Sequence, residues 1–315
     1  TYNTPGILYE YRTHHSLGSN FGINIDLKKH QKGPVEGNYS GESNSEVQLW
    51  HRINLGKGIL SSSLDYGYGK FYNYGGLNQI NNTNRVIDTA DHYLRRQHQF
   101  NLYFEYLVNT KSKKQIHVMP EWHYTGQQGL NKTDNISSYF SGGEENDFVL
   151  NVNLDAIKKR FWDFDFDFFM SFAQFKNHRF KNNQRFWAYI VPKIDLIFDD
   201  LSVSGGFKIG FYDDTAEGGS GFLLPDLTVS YNFGNHLSVY GEVKGDIIRN
   251  DFKSVISQNR HISDSIVLNT SIKKIGFKLG TSGILLPSMT YDINFSMKSI
   301  NDQMYFINND IFQLI

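Results

Sequence analysis

"FWDFDFDFFMSF", residues 161–172, alternates an apolar or aromatic side chain with a polar one over most of its length. Successive side chains of a β-strand point to opposite faces, so Trp162, Phe164, Phe166 and Phe168 share one face. Asp163, Asp165 and Asp167 share the other face. The stretch therefore predicts a strand between an apolar and a polar environment. A membrane β-strand with its rings toward lipid fits this pattern, and so does a strand of a soluble sandwich with buried rings.

The same period of two recurs along the whole chain and predicts about fourteen strands of roughly 10–15 residues. Ordinary soluble strands are shorter, whereas a tilted membrane strand needs about 9–11 residues. The connections between the strands alternate short and long, as in outer-membrane barrels with tight periplasmic turns and long external loops. Residues 250–265, NDFKSVISQNRHISDS, are expected to form one of the long loops.

These features predict an all-β chain that forms a transmembrane antiparallel up-and-down β-barrel of about 14–16 strands. We expect residues 1–315 to form one barrel domain that is incomplete at one or both ends, because the predicted strands do not begin and end on the periplasmic side. The positions expected to face lipid are Trp162, Phe164, Phe166, Phe168, Trp122, Phe207 and Phe211. The positions expected to line the lumen are Asp163, Asp165, Asp167, Glu105, Glu121, Glu242, Lys244, Lys274 and Lys278.

Composition excludes several classes of function. The 315 residues carry a formal net charge of -1, which argues against nucleic acid as a partner. The chain has no cysteine, so disulfides, thiolate metal sites and thiol nucleophiles are excluded. The sequence contains no phosphate-binding loop, nucleophile elbow or convincing Ser-His-Asp grouping. We therefore expect no enzymatic activity, no catalytic residue and no cofactor.

Two polar clusters could bind a cation. The aspartates at positions 163, 165 and 167 form a ladder, with neighbours about 7 Å apart on one face. A polar wall whose acids pair with neighbouring strands is the simpler interpretation. His117, Glu121 and His123 share one strand, with His98 on the preceding one, but His117 and His123 would lie about 20 Å apart. We expect no metal site at either cluster.

The last third of the chain resembles outer-membrane barrels of Bacteroidetes that are similar to TonB-dependent receptors. The phrases that carry the resemblance are LPDLTVSYNFGNHLSVYGEVKGDIIRNDFKSVISQNRHIS, residues 224–263, and GILLPSMTYDINFSMKSINDQMYF, residues 283–306. They are structural phrases, so the resemblance implies an architecture and a solute-transport role without naming a substrate. No plug domain and no TonB box is visible in the sequence, so we expect the barrel part alone.

Two functions remain open at the level of the sequence. The chain is either a barrel for passive or partner-gated solute transport, or a non-transporting docking subunit of an outer-membrane complex for secretion or protein assembly. A soluble glycan-binding sandwich is a third possibility. The expected location is the outer membrane of a Gram-negative bacterium. The expected partners are outer-membrane lipids and a surface lipoprotein or other envelope subunits.

Overall fold

The fold is a single antiparallel sheet of fourteen strands, each of which pairs with its neighbours in the sequence. The computed structural model describes residues 6–14, 19–30, 42–72, 94–109, 115–129, 142–177, 182–215, 218–234, 236–259, 266–286 and 289–304. The strands are β1 Gly6–His14, β2 Ser19–His30, β3 Glu42–Leu55, β4 Gly58–Tyr72, β5 Leu94–Asn109, β6 Gln115–Gly129, β7 Gly143–Lys158, β8 Trp162–Asn177, β9 Asn183–Ile197, β10 Leu201–Asp214, β11 Ser220–Phe233, β12 Leu237–Ile248, β13 Ser271–Leu286 and β14 Met289–Asn301. One helix, α1 Phe252–Gln258, lies between β12 and β13.

The prediction of an all-β, antiparallel, up-and-down architecture with about fourteen strands is confirmed. Tight connections lie at one end of the sheet, which we call the turn end. The long connections lie at the opposite end, which we call the loop end. Gly56, with φ +62, is part of the tight link between β3 and β4. A positive φ is the backbone conformation that glycine adopts without a steric penalty.

Several strands are longer than the sequence indicates. β8 continues to Asn177 and β9 begins at Asn183, beyond the apolar alternation of either strand. The backbone ladder continues there because Phe175 pairs with Asn183 in register. Backbone hydrogen bonds do not depend on side-chain polarity, so a polar sequence can extend a strand that its apolar pattern appears to end.

The sheet has two free edges. β1 pairs with β2 and β14 pairs with β13, and no pairing joins β1 to β14 within the described residues. Within these residues the sheet therefore does not close on itself.

The two faces of the sheet differ because side chains alternate along each strand, and the curvature of the sheet brings distant strands together on one face only. On the face that we call inner, side chains from strands that are not neighbours meet. Lys208 of β10 donates to Asp246 of β12 across 2.5 Å, and Trp187 of β9 contacts Thr270, next to β13. The opposite face, which we call outer, carries large apolar side chains that remain exposed. They include Phe104, Trp122, Phe148, Phe172, Phe207, Phe211, Leu227, Phe277 and Phe295.

Aromatic rings of the inner face cover glycines on the neighbouring strand. Tyr189 of β9 lies directly opposite Gly210 of β10, and Tyr240 of β12 lies opposite Gly280 of β13. A methyl group at Gly210 would collide with the carbonyl oxygen of Ala188 and with Cβ of Tyr189. Glycine is therefore required here by the close approach of the facing strand.

We predict that Gly210→Ala lowers the free energy of unfolding by about 1–3 kcal/mol, the usual cost of overpacking a filled site. Gly205→Ala on the same strand is the matched control, since an added Cβ would meet only Leu227 Cδ1, at 3.8 Å. Urea titrations in detergent micelles, followed by tryptophan fluorescence, would measure both variants. Equal stabilities for the two variants would contradict the packing argument.

Candidate functional site

The connection between β12 and β13 folds back over the inner face at the loop end. We call its described residues, 249–259 and 266–270, the strap. Its buried side chains include Phe252, Val255, Ile256 and Leu268. The sequence analysis assigned residues 250–265 to a long loop. That assignment missed the helix and its burial, because the partners of the strap lie on strands that are distant in the sequence.

Local sequence explains why the strap contains a helix. Asp251 has an extended backbone, and its side chain accepts a hydrogen bond from the Ser254 N–H at 2.7 Å, which caps the first turn of α1. Phe252, Val255 and Ile256 follow at the spacing that places three side chains on one face of a helix. All three are buried, so this apolar face packs against the sheet.

The apolar anchor of the strap is one cluster of buried side chains. Phe175 of β8 lies at its base, with its ring centroid 5.2 Å from that of Phe252. Full burial of such a side chain is worth about 1.5–3 kcal/mol, so the cluster holds the strap firmly. The members of the cluster are Phe175, Phe252, Val255, Ile256 and Leu268.

A buried ion pair holds the beginning of the helix. Arg185 of β9 and Glu145 of β7 form a salt bridge with side-chain exposures of 0% and 3%. The other carboxylate oxygen of Glu145 accepts the backbone N–H of Phe252 at 2.5 Å. Arg185 also donates through Nη1 to the carbonyl oxygens of Arg249, at 3.0 Å, and Asn250, at 3.4 Å. The pair therefore joins the sheet to the strap as well as β7 to β9.

A second ion pair lies nearer the middle of the strands. Arg249 donates through Nη1 to Asp147 Oδ2 at 3.1 Å and to Ser171 Oγ at 2.8 Å. Ser171 in turn donates to Asp147 Oδ1 at 2.6 Å. The guanidinium of Arg249 also lies 5.2 Å from the ring centroid of Phe169, a cation–π distance. Arg249 thus has partners on β7 and on β8.

Neutral hydrogen bonds complete the attachment of the strap. Trp187 Nε1 donates to Thr270 Oγ1 at 3.2 Å, and Asn177 Nδ2 donates to the Ile266 carbonyl at 2.8 Å. Lys253 Nζ reaches Asn101 Oδ1 of β5 at 3.1 Å. The strap is therefore fixed to β5, β7, β8 and β9, which lie three to seven strands from β12 in the sheet.

An aromatic layer lies beneath the strap, on its turn-end side. Phe169 and Tyr189 stack with centroids 4.6 Å apart and an interplanar angle of 13°. Lys208 lies 4.5 Å from the Tyr189 centroid, while its ammonium group pairs with Asp246. The inner face beneath the strap is therefore packed like a protein core.

The aspartate ladder lies on the inner face nearer the turn end. Asp167 Oδ1 accepts from Asn153 Nδ2 at 2.6 Å, and Asp163 Oδ1 accepts the Lys159 N–H at 3.3 Å. Asp165 faces Lys193 in the register of β8 and β9. No group of three or more His, Asp or Glu side chains within the described residues could hold a metal ion. The ladder has the character of a polar wall with partners on neighbouring strands.

The histidines form separate pairs instead of one cluster. His117 Nε2 lies 2.5 Å from Glu105 Oε1, and His123 Nε2 lies 3.0 Å from Glu121 Oε2. His98 does not join them, because it contacts Tyr66 on the outer face, with Tyr66 Oη 3.2 Å from Nδ1. Glu105 and Glu121 are therefore inner-face residues, each with its own histidine.

The remaining charged candidates lie on β12 and β13. Glu242 and Lys244 share the inner face, with 3.5 Å between carboxylate and ammonium, and Lys278 lies opposite Glu242 in register. Lys274 is exposed and falls where the pairing of β13 with β14 slips between Lys273 and Ile275. The structure thus places three of these four in one group and leaves Lys274 apart from it.

The apolar candidates lie on the outer face. Trp122, Trp162, Phe207 and Phe211 are exposed apolar side chains. The remaining three are partly buried on β8, on the face opposite the aspartate ladder, and they are Phe164, Phe166 and Phe168.

The sequence analysis missed the residues that hold the strap: Glu145, Asp147, Arg185, Trp187 and Arg249. One signal for them was present. Trp187, Phe169 and Phe175 are bulky side chains on the face of β8 and β9 that carries the aspartate ladder, so something apolar had to cover them. The helix cap at Asp251 and the apolar spacing of residues 252–256 were a second signal, because they indicated a short helix with one apolar face.

Within the described ranges, no helix has both the length and the apolar character needed to cross a membrane. No protein-family model matches the chain, and no curated protein matches it either.

The strand order and curvature are shared with solved structures of bacterial receptors. The FrpB iron transporter from Neisseria meningitidis superimposes with a TM-score of 0.73 at 10% identity, over 96% of this chain and 54% of that one. A mutant of the ferric enterobactin receptor PfeA from Pseudomonas aeruginosa gives 0.73 at 7% identity, over 95% and 51%. The ferric yersiniabactin uptake receptor FyuA from Yersinia pestis gives 0.60 at 12% identity, over 92% and 52%.

The chain has the fold of the part of these receptors that it matches. The chain spans about half the length of the structures that it matches. At this level of identity the likeness concerns the fold, and it agrees with the architecture that the sequence resemblance implied.

We predict that breaking the buried ion pair destabilises the protein more than removing it. Glu145→Met or Arg185→Met alone leaves one buried charge without its partner and is expected to lower the free energy of unfolding by about 3–5 kcal/mol. The double variant is expected to lower it by much less than the sum of the two single losses. Unfolding free energies from urea titrations of the wild type, both single variants and the double variant complete the cycle. Additive losses would show that the two side chains do not act as a pair.

Proposed function

We propose that the chain forms the barrel wall of an outer-membrane receptor that moves a solute across the membrane, gated by a partner or a plug. The observation that carries the proposal is the contrast between the two faces of a receptor-type sheet: a band of exposed apolar side chains on the outer face, and polar, partly packed side chains on the inner face. The proposed location is the outer membrane of a Gram-negative bacterium, of the Bacteroidetes if the sequence resemblance holds.

The outer face supports contact with lipid. Its exposed apolar side chains form a band, and outer-face aromatic residues occur near both ends of the strands, as in the girdles of membrane barrels. Near the loop end, the rings of Tyr68 and His98 lie 4.9 Å apart. Near the turn end, Tyr106 Oη donates to the Leu55 carbonyl at 3.3 Å, and Tyr231 packs on Phe233. Outer-membrane lipids are therefore the first proposed partner.

The free edges support closure by additional strands. Unpaired backbone groups at β1 and β14 cannot remain exposed to hydrocarbon, where each costs several kcal/mol. We propose that residues 1–315 are one domain of a barrel completed by strands other than the fourteen described. The matched receptors, of which this chain covers about half, are consistent with that size.

The inner face supports passage of a polar solute. Toward the turn end it carries carboxylates and ammonium groups of mixed sign, of which Asp195 and Lys193 lie 3.7 Å apart. The names of the matched receptors refer to iron and ferric chelates, so a metal chelate is one solute class worth testing. Saturable uptake or defined conductance steps after reconstitution in lipid bilayers would support transport.

A non-transporting docking subunit is the second candidate, and the strap is the observation that favours it. An inner face filled by its own chain at β7–β9 could belong to a barrel that no longer conducts. Gentle extraction from native membranes, with mass spectrometry of what copurifies, would separate the two candidates. Fixed-ratio envelope proteins without conductance would favour docking, whereas a barrel alone or with one surface lipoprotein would favour transport.

We predict that Leu227→Arg and Thr228→Arg, adjacent on β11, have opposite outcomes. Leu227 belongs to the outer face, where an arginine near the bilayer midplane costs about 2–4 kcal/mol. Thr228 lies on the inner face, directly opposite Glu242, which an arginine could pair with. Yield in the outer membrane and heat-modifiable migration on gels would report assembly. Equal tolerance of both substitutions would argue against a lipid-facing outer surface.

We also predict that the combined variant Asp163→Asn, Asp165→Asn, Asp167→Asn lowers the cation-to-anion permeability ratio of reconstituted protein. The three carboxylates line one wall, and removing charge from a passage weakens its attraction for counterions. Asp199→Asn, exposed in the turn between β9 and β10, is the control and should leave the ratio unchanged. An unchanged ratio in the combined variant would place the ladder outside any conducting path.

A further inference from the structure

We propose that the strap is a fixed partition inside the barrel, which limits the size of what can pass along β5–β9 and does not open as a lid. The inference rests on the transport function proposed above and adds to it the element that restricts passage. Its evidence is the two-sided attachment of the strap, which is independent of the identity of any solute.

The strap crosses the interior. Its ends continue β12 and β13, while its middle is bonded to strands that lie four to seven positions from β12 in the sheet. Phe252 N–H bonds to Glu145 of β7, Lys253 bonds to Asn101 of β5, and the Phe252 ring packs on Phe175 of β8. A segment attached on both sides divides the space that the sheet encloses.

The kind of attachment argues against a lid. Segments that open readily have few buried apolar contacts and many exposed hydrogen bonds. Here, release of the strap would leave Arg185 and Glu145 without their strap partners and would expose five buried apolar side chains. A buried charge that loses a partner carries a large desolvation penalty. The closed arrangement is therefore the resting and the working one.

The exposed side of the strap is polar and nearly neutral. Ser257 and Gln258 of α1 are exposed, the first turn of the helix has no acidic residue and its last turn has no basic residue. Lys253 is the charged residue of α1 and is bonded to Asn101. As far as its described residues go, the partition therefore selects by size more than by charge.

Residues 1–315 contain no cysteine, which permits a direct test in intact cells that carry the complete protein, with any cysteine outside these residues replaced by serine. Asn151→Cys places one thiol on the inner face of β7, nearer the turn end than the strap contacts at Glu145 and Asp147. Gln128→Cys, exposed near the loop end of β6, is the accessible control. Each is treated from outside with a small methanethiosulfonate and with a long polyethylene-glycol maleimide, and labelling is followed over time.

With the strap intact, we expect the small reagent to label both positions, and the large reagent to label only the control, even after long exposure. Replacing residues 250–270 by a short Gly-Ser linker should raise labelling of Asn151→Cys by the large reagent at least about tenfold, because access no longer requires a buried segment to open. The Glu145→Met, Arg185→Met double variant keeps the strap and serves as a second test if the shortened protein fails to assemble. In it, the large reagent should label Asn151→Cys at a rate between those of the intact and the shortened proteins.

Three results would overturn the partition. Rapid labelling of Asn151→Cys by the large reagent in the intact protein would show that the strap excludes nothing. Slow but complete labelling would show a lid. No gain in any assembled strap variant would show that another element excludes the reagent. A partition demonstrated in a protein that moves no solute would refute transport alone, so the two proposals fail separately.

Discussion

Side-chain alternation along a continuous antiparallel ladder is the constraint on which the rest of the structure depends. Because each strand pairs with its neighbours in the sequence, one register shift exchanges the two faces of everything that follows. Where the ladder is irregular, the irregularity has a local use. A shift between Lys244 and Asp246 precedes Ile247, which packs with Val149 and Phe169 on the inner face, and the strap begins two residues later.

The inner face therefore has two regions of different character, one at each end of the sheet. Toward the turn end its polar side chains make pairwise contacts between neighbouring strands, such as Asn153 with Asp167. Toward the loop end it resembles the core of a soluble protein, with stacked rings and charges that are fully desolvated. Arg185 has features of both regions. It is a charged side chain on the inner face, as expected for a polar barrel interior, yet it is completely buried because the strap covers it.

The sequence predicted what depends on nearest neighbours along the chain. The alternation from Trp162 to Phe168 divides these side chains between the two faces of β8, and the strand number follows from repeats of the same pattern. The strap depends on partners 107 residues apart for Phe252 and Glu145, and 152 apart for Lys253 and Asn101. Period-two patterns carry no information at that separation. The bulky residues on the polar side of β8 and β9 indicated that a cover exists, but not which segment supplies it.

The attachment of the strap to both β12–β13 and β5–β9 also has a consequence for the order of folding steps. Its bonds can form only after β5–β9 and β12 have come to face one another, so they belong to the last stage of assembly and are absent from earlier transition states. Interactions of that kind slow unfolding without accelerating folding. The strap should therefore slow unfolding and give the protein a long native lifetime whatever its equilibrium stability.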